Sequence, residues 1–335
     1  MCNIWKISES VPELPLDQWV KLLSNDLLRD LRELDITGGE PFLRDDLVAL
    51  IRAVCELKQT RLRRLRSIAI TTNGVLTERV LDMVAEMLGP MTENGLELVM
   101  VCGFDAVGDL HDKIRRHEGA WRQVDRSLKG LAELRSRYPH LIVGLKTTVL
   151  PENIGELEKI SAYAREQGLF TIISPAIVTS GRYLNPDKAG ELVFSADDRA
   201  RLARFYESPD LAWSHHAKAL ADYLRTGRMK KPCSCGFNYF FVRSNGDVFL
   251  CPLLDEPAGN LGRATPEAVF SSGVARAIRR RIGKSPECTG CTEPGLERYS
   301  LPYEGFAYLR TLLRTTPPSF LEQHCHLGLD KYLGV

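Results

Sequence analysis

Leu34-Asp35-Ile36-Thr37-Gly38-Gly39-Glu40-Pro41 runs from a short β-like segment into a turn made of two glycines, an acid and a proline. Just downstream, Leu47, Leu50, Ile51 and Val54 recur on one face of a helix. The same change of period repeats along the chain. Further β-like runs lie at residues 67–72, 96–102, 141–149 and 169–173, and helical faces at Val80, Met83, Val84 and Met87 and at Val124, Leu128 and Leu131. Asn153 with Glu156 three residues on reads as a capping box, opening a helix whose inward face is Ile154, Leu157, Ile160 and Ala164. Strand–helix units with near-continuously apolar strands predict a parallel α/β sheet covered by helices, either open or closed into a barrel.

In such sheets the site forms where the strands end at their carboxyl sides. Four places qualify: Gly38 to Pro41, Asn73-Gly74, Asp105, and Pro151 to Asn153. Turn chemistry alone accounts for Asn73-Gly74, since both residues tolerate positive φ. The Gly-Gly-Glu-Pro turn says more, because paired glycines let a ligand approach the backbone while an adjacent carboxylate can receive an ammonium group.

The chain has 335 residues and 44% hydrophobic content, enough for one large core or a core plus a smaller module. Its 44 Lys+Arg against 43 Asp+Glu leave a formal net charge of +1, so the global footprint of a nucleic-acid binder is missing. The basic runs from Arg61 to Arg66 and from Arg276 to Lys284 read as solvated amphipathic faces. No stretch of about 18 or more apolar residues occurs and no signal peptide follows Met1, which predicts a cytoplasmic protein with no membrane partner. Nine cysteines in a reducing compartment point to metal ligation or redox chemistry.

Four of them form a frame, Cys235-x10-Gly246-x4-Cys251 followed after a gap by Cys288-x2-Cys291. Asn245-Gly246-Asp247 reads as a hairpin turn that returns a strand to Cys251, and the Cys-x2-Cys pair sets two thiolates on one tight turn. Cys233 is the alternative first ligand and Cys325 a fifth candidate. Structural zinc also takes four thiolates, but the separation of the first pair does not resemble a paired zinc knuckle, which favours an iron–sulfur cluster. Cys55, beside Val54, and Cys102, at a strand end, read as small core residues. Core packing is likewise the first expectation for Tyr183, Tyr239, Phe240 and Phe241. His215, His216 and His324-Cys325-His326 read as surface or local contacts, and His111 and Arg115 as either loop-fixing or substrate-facing.

Taken together, Gly38-Gly39-Glu40-Pro41, Thr72-Asn73-Gly74, and Asp105 with His111-Asp112-Lys113-Ile114-Arg115 and Gly119 resemble the radical S-adenosylmethionine (SAM) enzymes. The cysteine frame, with Gly259-Asn260-Leu261 between its halves, is similar to the SPASM or shorter twitch extension that carries auxiliary clusters there. The resemblance implies a partial (β/α)6 TIM-like barrel lacking its first strand over residues 1–190. It also implies a small auxiliary-cluster domain with a helical tail over residues 191–335. The family's defining loop is Cys-x3-Cys-x2-Cys, often ending Met-Cys-Asn-Ile-Trp-Lys, and this chain begins Met1-Cys2-Asn3-Ile4-Trp5-Lys6. Cys2 thus resembles the loop's last ligand, and the expectation is a chain truncated within the loop and inactive as it stands. A degenerate, non-catalytic scaffold holding iron–sulfur or zinc is the alternative.

In this family three thiolates hold a [4Fe–4S] cluster whose open iron takes SAM, and reductive cleavage yields a 5′-deoxyadenosyl radical that abstracts a substrate hydrogen. The resemblance assigns Gly38, Gly39, Glu40, Pro41 and Asn73 to SAM, the vicinity of Asp105 to its ribose, and Cys2 to the cluster. It departs from the family at Gly103 and Ala106, where Ser and Gly are frequent. Glu297 stands where a full SPASM frame has its next cysteine, so one auxiliary [4Fe–4S] cluster is expected, held by Cys235, Cys251, Cys288 and Cys291. An electron donor such as flavodoxin or ferredoxin is implied, and a peptide is the favoured substrate class, with small metabolites and sugars open.

Overall fold

The computed structural model describes residues 1–8, 10–211, 214–230 and 233–293, without the side chain of residue 215. Glu297, His324, Cys325, His326 and the expected helical tail lie outside the described residues. Two compact units emerge, one of Ser8–Val149 and Gly155–Ile173, the other of Met1–Ile7, Leu150–Ile154 and the described residues from 174 onward.

The first unit is built on five strands, β1 (Glu33–Ile36), β2 (Ser67–Thr72), β3 (Glu97–Gly103), β4 (Leu141–Val149) and β5 (Phe170–Pro175), ordered β1-β2-β3-β4-β5. The first three pairings are parallel, with Leu34 opposite Ile68, Ile68 opposite Leu98, and Leu98 opposite Leu141. Helices α1 (Leu16–Leu23), α2 (Leu47–Thr60), α3 (Thr77–Glu93), α4 (Asp109–Arg115), α5 (Ala120–Arg137) and α6 (Leu157–Glu166) alternate with the strands. Strands in sequential order with intervening helices are the repeat of a partial TIM-like barrel. Apolar residues on both faces of β2 and β3 explain why: Ile68, Ile70, Leu98 and Met100 are fully buried, while Ala69, Val99 and Val101 pack on the opposite side with Ile142, Phe170 and Ile172. Every residue expected on the inward faces of α2, α3 and α5 is buried, as are Cys55 and Cys102.

The capping box does not form. Asn153 is fully buried, and its Oδ1 accepts the Leu150 N–H at 2.7 Å instead of capping a helix. A buried amide takes the nearest backbone donor, here the one that closes the turn after β4. Pro151–Glu156 is consequently a 3₁₀ turn, and α6 starts at Leu157. The inward face of Ile154, Leu157, Ile160 and Ala164 is buried as expected.

In the second unit, α7 (Ala196–Tyr206) and α8 (His215–Thr226) pack together. An antiparallel sheet of β6 (Phe241–Val242), β7 (Asp247–Phe249) and β8 (Gly259–Asn260) precedes α9 (Pro266–Phe270) and α10 (Gly273–Arg281). Gly246, at φ +89°, makes the hairpin turn expected of Asn245-Gly246-Asp247. Asn260 Nδ2 locks that turn by donating to Asn245 O at 3.0 Å and to Asp247 Oδ1 at 2.8 Å. Val248, Leu250, Ala258, Val269, Ala275 and Ile278 form the core, with Phe240 packed against it. On α10, Arg276 and Arg280 are exposed while Arg279 donates to the carbonyls of Gly236 (2.6 Å) and Phe270 (2.7 Å). Among the described residues no helix is long and apolar enough to cross a membrane.

Candidate functional site

Parallel strands in register bring the turns after β1, β2 and β3 to one sheet edge. Gly38 and Gly39 are exposed there, and a Cβ added to either would meet nothing within 4 Å, so the backbone lies open to a ligand. Gly38, at φ +147°, is a conformation that favours glycine. Glu40 ties this turn to the end of β2. Its Oε1 accepts from the Thr72 hydroxyl at 2.7 Å and the Phe42 N–H at 3.2 Å, and its Oε2 from the Asn73 N–H at 2.7 Å. A carboxylate offers about four acceptor positions, so these three donors leave room for one more. Asn73 Oδ1 accepts the Val75 N–H at 2.9 Å, closing an Asx turn. Thr72 carries the hydroxyl that sequence reasoning passed over. Ile36 pairs with Ile70, and extending that register by two residues sets Thr72 beside the Gly38 turn.

Asp105 is held away from solvent, with 0% of its surface exposed. Its Oδ1 accepts the Thr148 N–H at 2.9 Å, and Arg115 Nε lies 2.8 Å from Oδ2, an ion pair without hydrogen-bond alignment. The Asp105 N–H donates to His111 Nδ1 at 3.1 Å, while Asp112 accepts the N–H groups of Gly119 (2.8 Å) and Trp121 (2.7 Å). His111 and Arg115 therefore fix the turn after β3. Burial, and then the charge of Arg115, lower the His111 pKa to about 4. Glu40 and Asn73 thus meet directly, whereas Asp105 sits in its own buried network.

The cysteine frame closes on itself. Cys233, Cys235, Cys251, Cys288 and Cys291 all line one cavity of about 220 Å³, together with residues that include Arg228, Leu254 and Lys284. The β6–β7 hairpin delivers Cys251 and the Pro286–Gly290 turn delivers Cys288 and Cys291. Hydrogen bonding with Cys233 and Cys251, reinforced by burial, pushes the Cys235 thiol far up. Cys251 moves down, chiefly through its hydrogen bond with Cys235 and also through the Leu253 and Leu254 amides. Within that hydrogen-bonded pair Cys251 is the thiol that ionises first. No three His, Cys, Asp or Glu side chains among the described residues are drawn together as a single-ion site. Five soft thiol donors around a void of this size fit an iron–sulfur cluster.

Cys2 is half-buried and is not among the residues that line this cavity. Its segment is clamped through Asn3, whose N–H donates to Tyr183 O at 2.8 Å and whose Nδ2 donates to Leu184 O at 2.9 Å and Asp187 Oδ1 at 2.7 Å. Among the aromatics, Phe240 meets Phe270 edge-on and Phe241 stacks on Phe249, while Tyr239 packs beside the thiols. His216 is buried with its Nε2 3.2 Å from Ser174 Oγ.

Residues 1–164 match the Radical SAM superfamily, and residues 233–292 match an iron–sulfur cluster-binding domain, SPASM, a span that contains all five cavity cysteines. The chain is 28% identical over 280 residues to the AdoMet-dependent heme synthase of Methanosarcina barkeri, covering 77% of this chain and 74% of that protein. It is 29% identical over 323 residues to a GTP 3′,8-cyclase of Synechococcus sp., covering 90% and 89%. It is 21% identical over 312 residues to the sporulation killing factor maturation protein SkfB of Bacillus subtilis, covering 90% and 68%. The cofactors of such a chain are a [4Fe–4S] cluster, SAM and an auxiliary iron–sulfur cluster. With a barrel-type sheet, a thiol-lined cavity and both family matches in sequence order, the chain carries a Radical SAM domain over residues 1–164 and a C-terminal SPASM domain over residues 233–292.

Proposed function

We propose that this protein is a radical SAM oxidoreductase or maturase that removes a hydrogen atom from a peptide substrate. The observation that carries the redox part is the cavity lined by all five cysteines of residues 233–291. Similarity to a maturation protein, together with the peptide-modifying members of the SPASM class, supports the peptide. On this reading residues 1–190 form the catalytic core and 191–335 the auxiliary domain, the protein works in the cytosol, and a flavodoxin or ferredoxin supplies electrons.

Bound SAM and a reduced cluster supply one-electron cleavage and hydrogen abstraction. The residues do the rest. Gly38 and Gly39 leave the backbone bare for the amino-acid end of SAM, Glu40 offers its remaining acceptor position to the ammonium group, the Asn73 N–H holds that carboxylate in place, and Pro41 opens the turn that presents the Phe42 N–H to it. Asp105 shapes the neighbouring turn on the ribose side from within its buried network. Cys2 is a ligand of the SAM-binding cluster, and Cys235, Cys251, Cys288 and Cys291 hold the auxiliary one, with Cys233 as the alternative first ligand.

A polypeptide of residues 1–335 offers Cys2 as one thiolate for the SAM-binding cluster and is expected not to cleave SAM. Joined to a segment that supplies the other two loop cysteines, then reconstituted without oxygen and reduced with dithionite, it is expected to release methionine and 5′-deoxyadenosine from SAM. Absence of both products from such iron-loaded protein would support the scaffold reading instead.

A further inference from the structure

The segment from Thr179 to Asp187 touches both sulfur sites. Toward the amino terminus, Tyr183 and Leu184 offer their carbonyls to Asn3, Asp187 accepts from its side chain, and Asn185 Nδ2 donates to Met1 O at 2.7 Å. Met1 and Asn3 flank Cys2, so the cysteine is held from both sides. Toward the thiol cavity, Arg182 Nη1 donates to Glu293 Oε2 at 2.9 Å, and Glu293, 4% exposed, stands two residues after Cys291. Gly181 makes a second tie there. A Cβ on it would sit 2.6 Å from the carbonyl oxygen of Leu254, a residue of the cavity wall.

The segment is internally braced. Thr179 Oγ1 accepts the N–H groups of Arg182 (2.8 Å) and Tyr183 (3.1 Å), Asn185 Oδ1 accepts the Thr179 N–H at 2.9 Å, and the Arg182 guanidinium lies over the Tyr183 ring. Leu184 is held at φ +51°, a conformation disfavoured for a non-glycine residue that persists only when its surroundings over-determine it. A strained, internally bonded turn moves as a body, so displacement at Arg182 is passed to Asn185 and Tyr183.

We propose that Arg182, Gly181 and Asn185 are positioning residues through which occupancy of the auxiliary thiol cavity fixes Cys2. Ligation of Cys291 immobilises Glu293, Glu293 fixes the Arg182 guanidinium, and the braced turn passes that constraint to Met1 and Asn3. The coupling is reciprocal, because a linkage free energy belongs to the pair of sites. The part that concerns filling of the cavity rests on the iron–sulfur reading above; the mechanical tie does not.

The test is the iodoacetamide alkylation rate of Cys2 in the chain of residues 1–335, read by mass spectrometry with buried Cys55 as the control for global opening. In metal-free protein, Arg182→Met is expected to raise the Cys2 rate about 5-fold or more with Cys55 still protected, and Arg182→Lys to restore it. Gly181→Ala, which must push Leu254 away, should act in the same direction. In protein loaded with iron and sulfide, the wild-type Cys2 rate should fall about 5-fold below the metal-free rate, and Arg182→Met should abolish the difference while keeping its iron. Equal Cys2 rates in metal-free wild type, Arg182→Met and Gly181→Ala would overturn the tie, and equal rates in loaded and metal-free wild type would overturn the coupling. Protein that takes up no iron would instead count against the cluster reading, leaving the metal-free comparison to decide the tie.

Discussion

Burial of the His111 ring beside Arg115 keeps the imidazole neutral, which lets its Nδ1 accept the Asp105 N–H. The folded pKa is about 4 against an ordinary 6.5, so between those values the unfolded chain binds a proton that folded His111 refuses. Stability therefore falls as pH drops through that window. Urea unfolding at pH 7 and pH 4.5 is expected to show a loss of about 2 kcal/mol that His111→Gln, with no titrating ring, lacks. At Glu40, Gln would turn a donor toward either Thr72 or the Asn73 N–H, and Glu40→Gln should lower stability by about 1–3 kcal/mol in the same assay. Glu40 was legible in the sequence because glycines and a proline mark its turn. Arg182, Asn3 and Asn185 were not, because their partners lie more than a hundred positions away and no local pattern announces them.

Elements were readable where one period dominates. The strand-forming runs at 67–72 and 141–149 and the buried faces of α2, α3 and α5 follow from apolar spacing alone, since tertiary burial and local pattern agree there. They diverge at Asn153, where burial turned a cap residue back on its own turn. The β2–α3 connection shows the strength of a single glycine. Gly74 sits at φ +74°, and a Cβ on it would lie 2.7 Å from Val124 Cγ2 on α5. Gly74→Ala is expected to cost about 2–4 kcal/mol by thermal or urea unfolding, more than an ordinary surface change, because it strains both the backbone and the packing.

Across the whole molecule, the cysteine frame was legible as a frame with Cys233 as the alternative first ligand, but spacing did not show that Cys233 and Cys235 share one cavity with the other three. Cys233 belongs to the same cavity because the chain between it and Cys251 folds back as a hairpin. Filling that cavity must displace protons from thiols that burial and mutual hydrogen bonding hold protonated, Cys235 above all. Iron uptake should accordingly weaken as pH falls from about 8.5 to about 6.5, with protons released on loading. The most direct measurement is iron and acid-labile sulfide per chain, with the electron paramagnetic resonance spectrum after dithionite, for residues 1–335 reconstituted without oxygen. Brown protein with about four irons and about four sulfides is expected, with loss of that content in Cys251→Ala. Colourless protein carrying zinc alone, or iron content unchanged by Cys251→Ala, would contradict it.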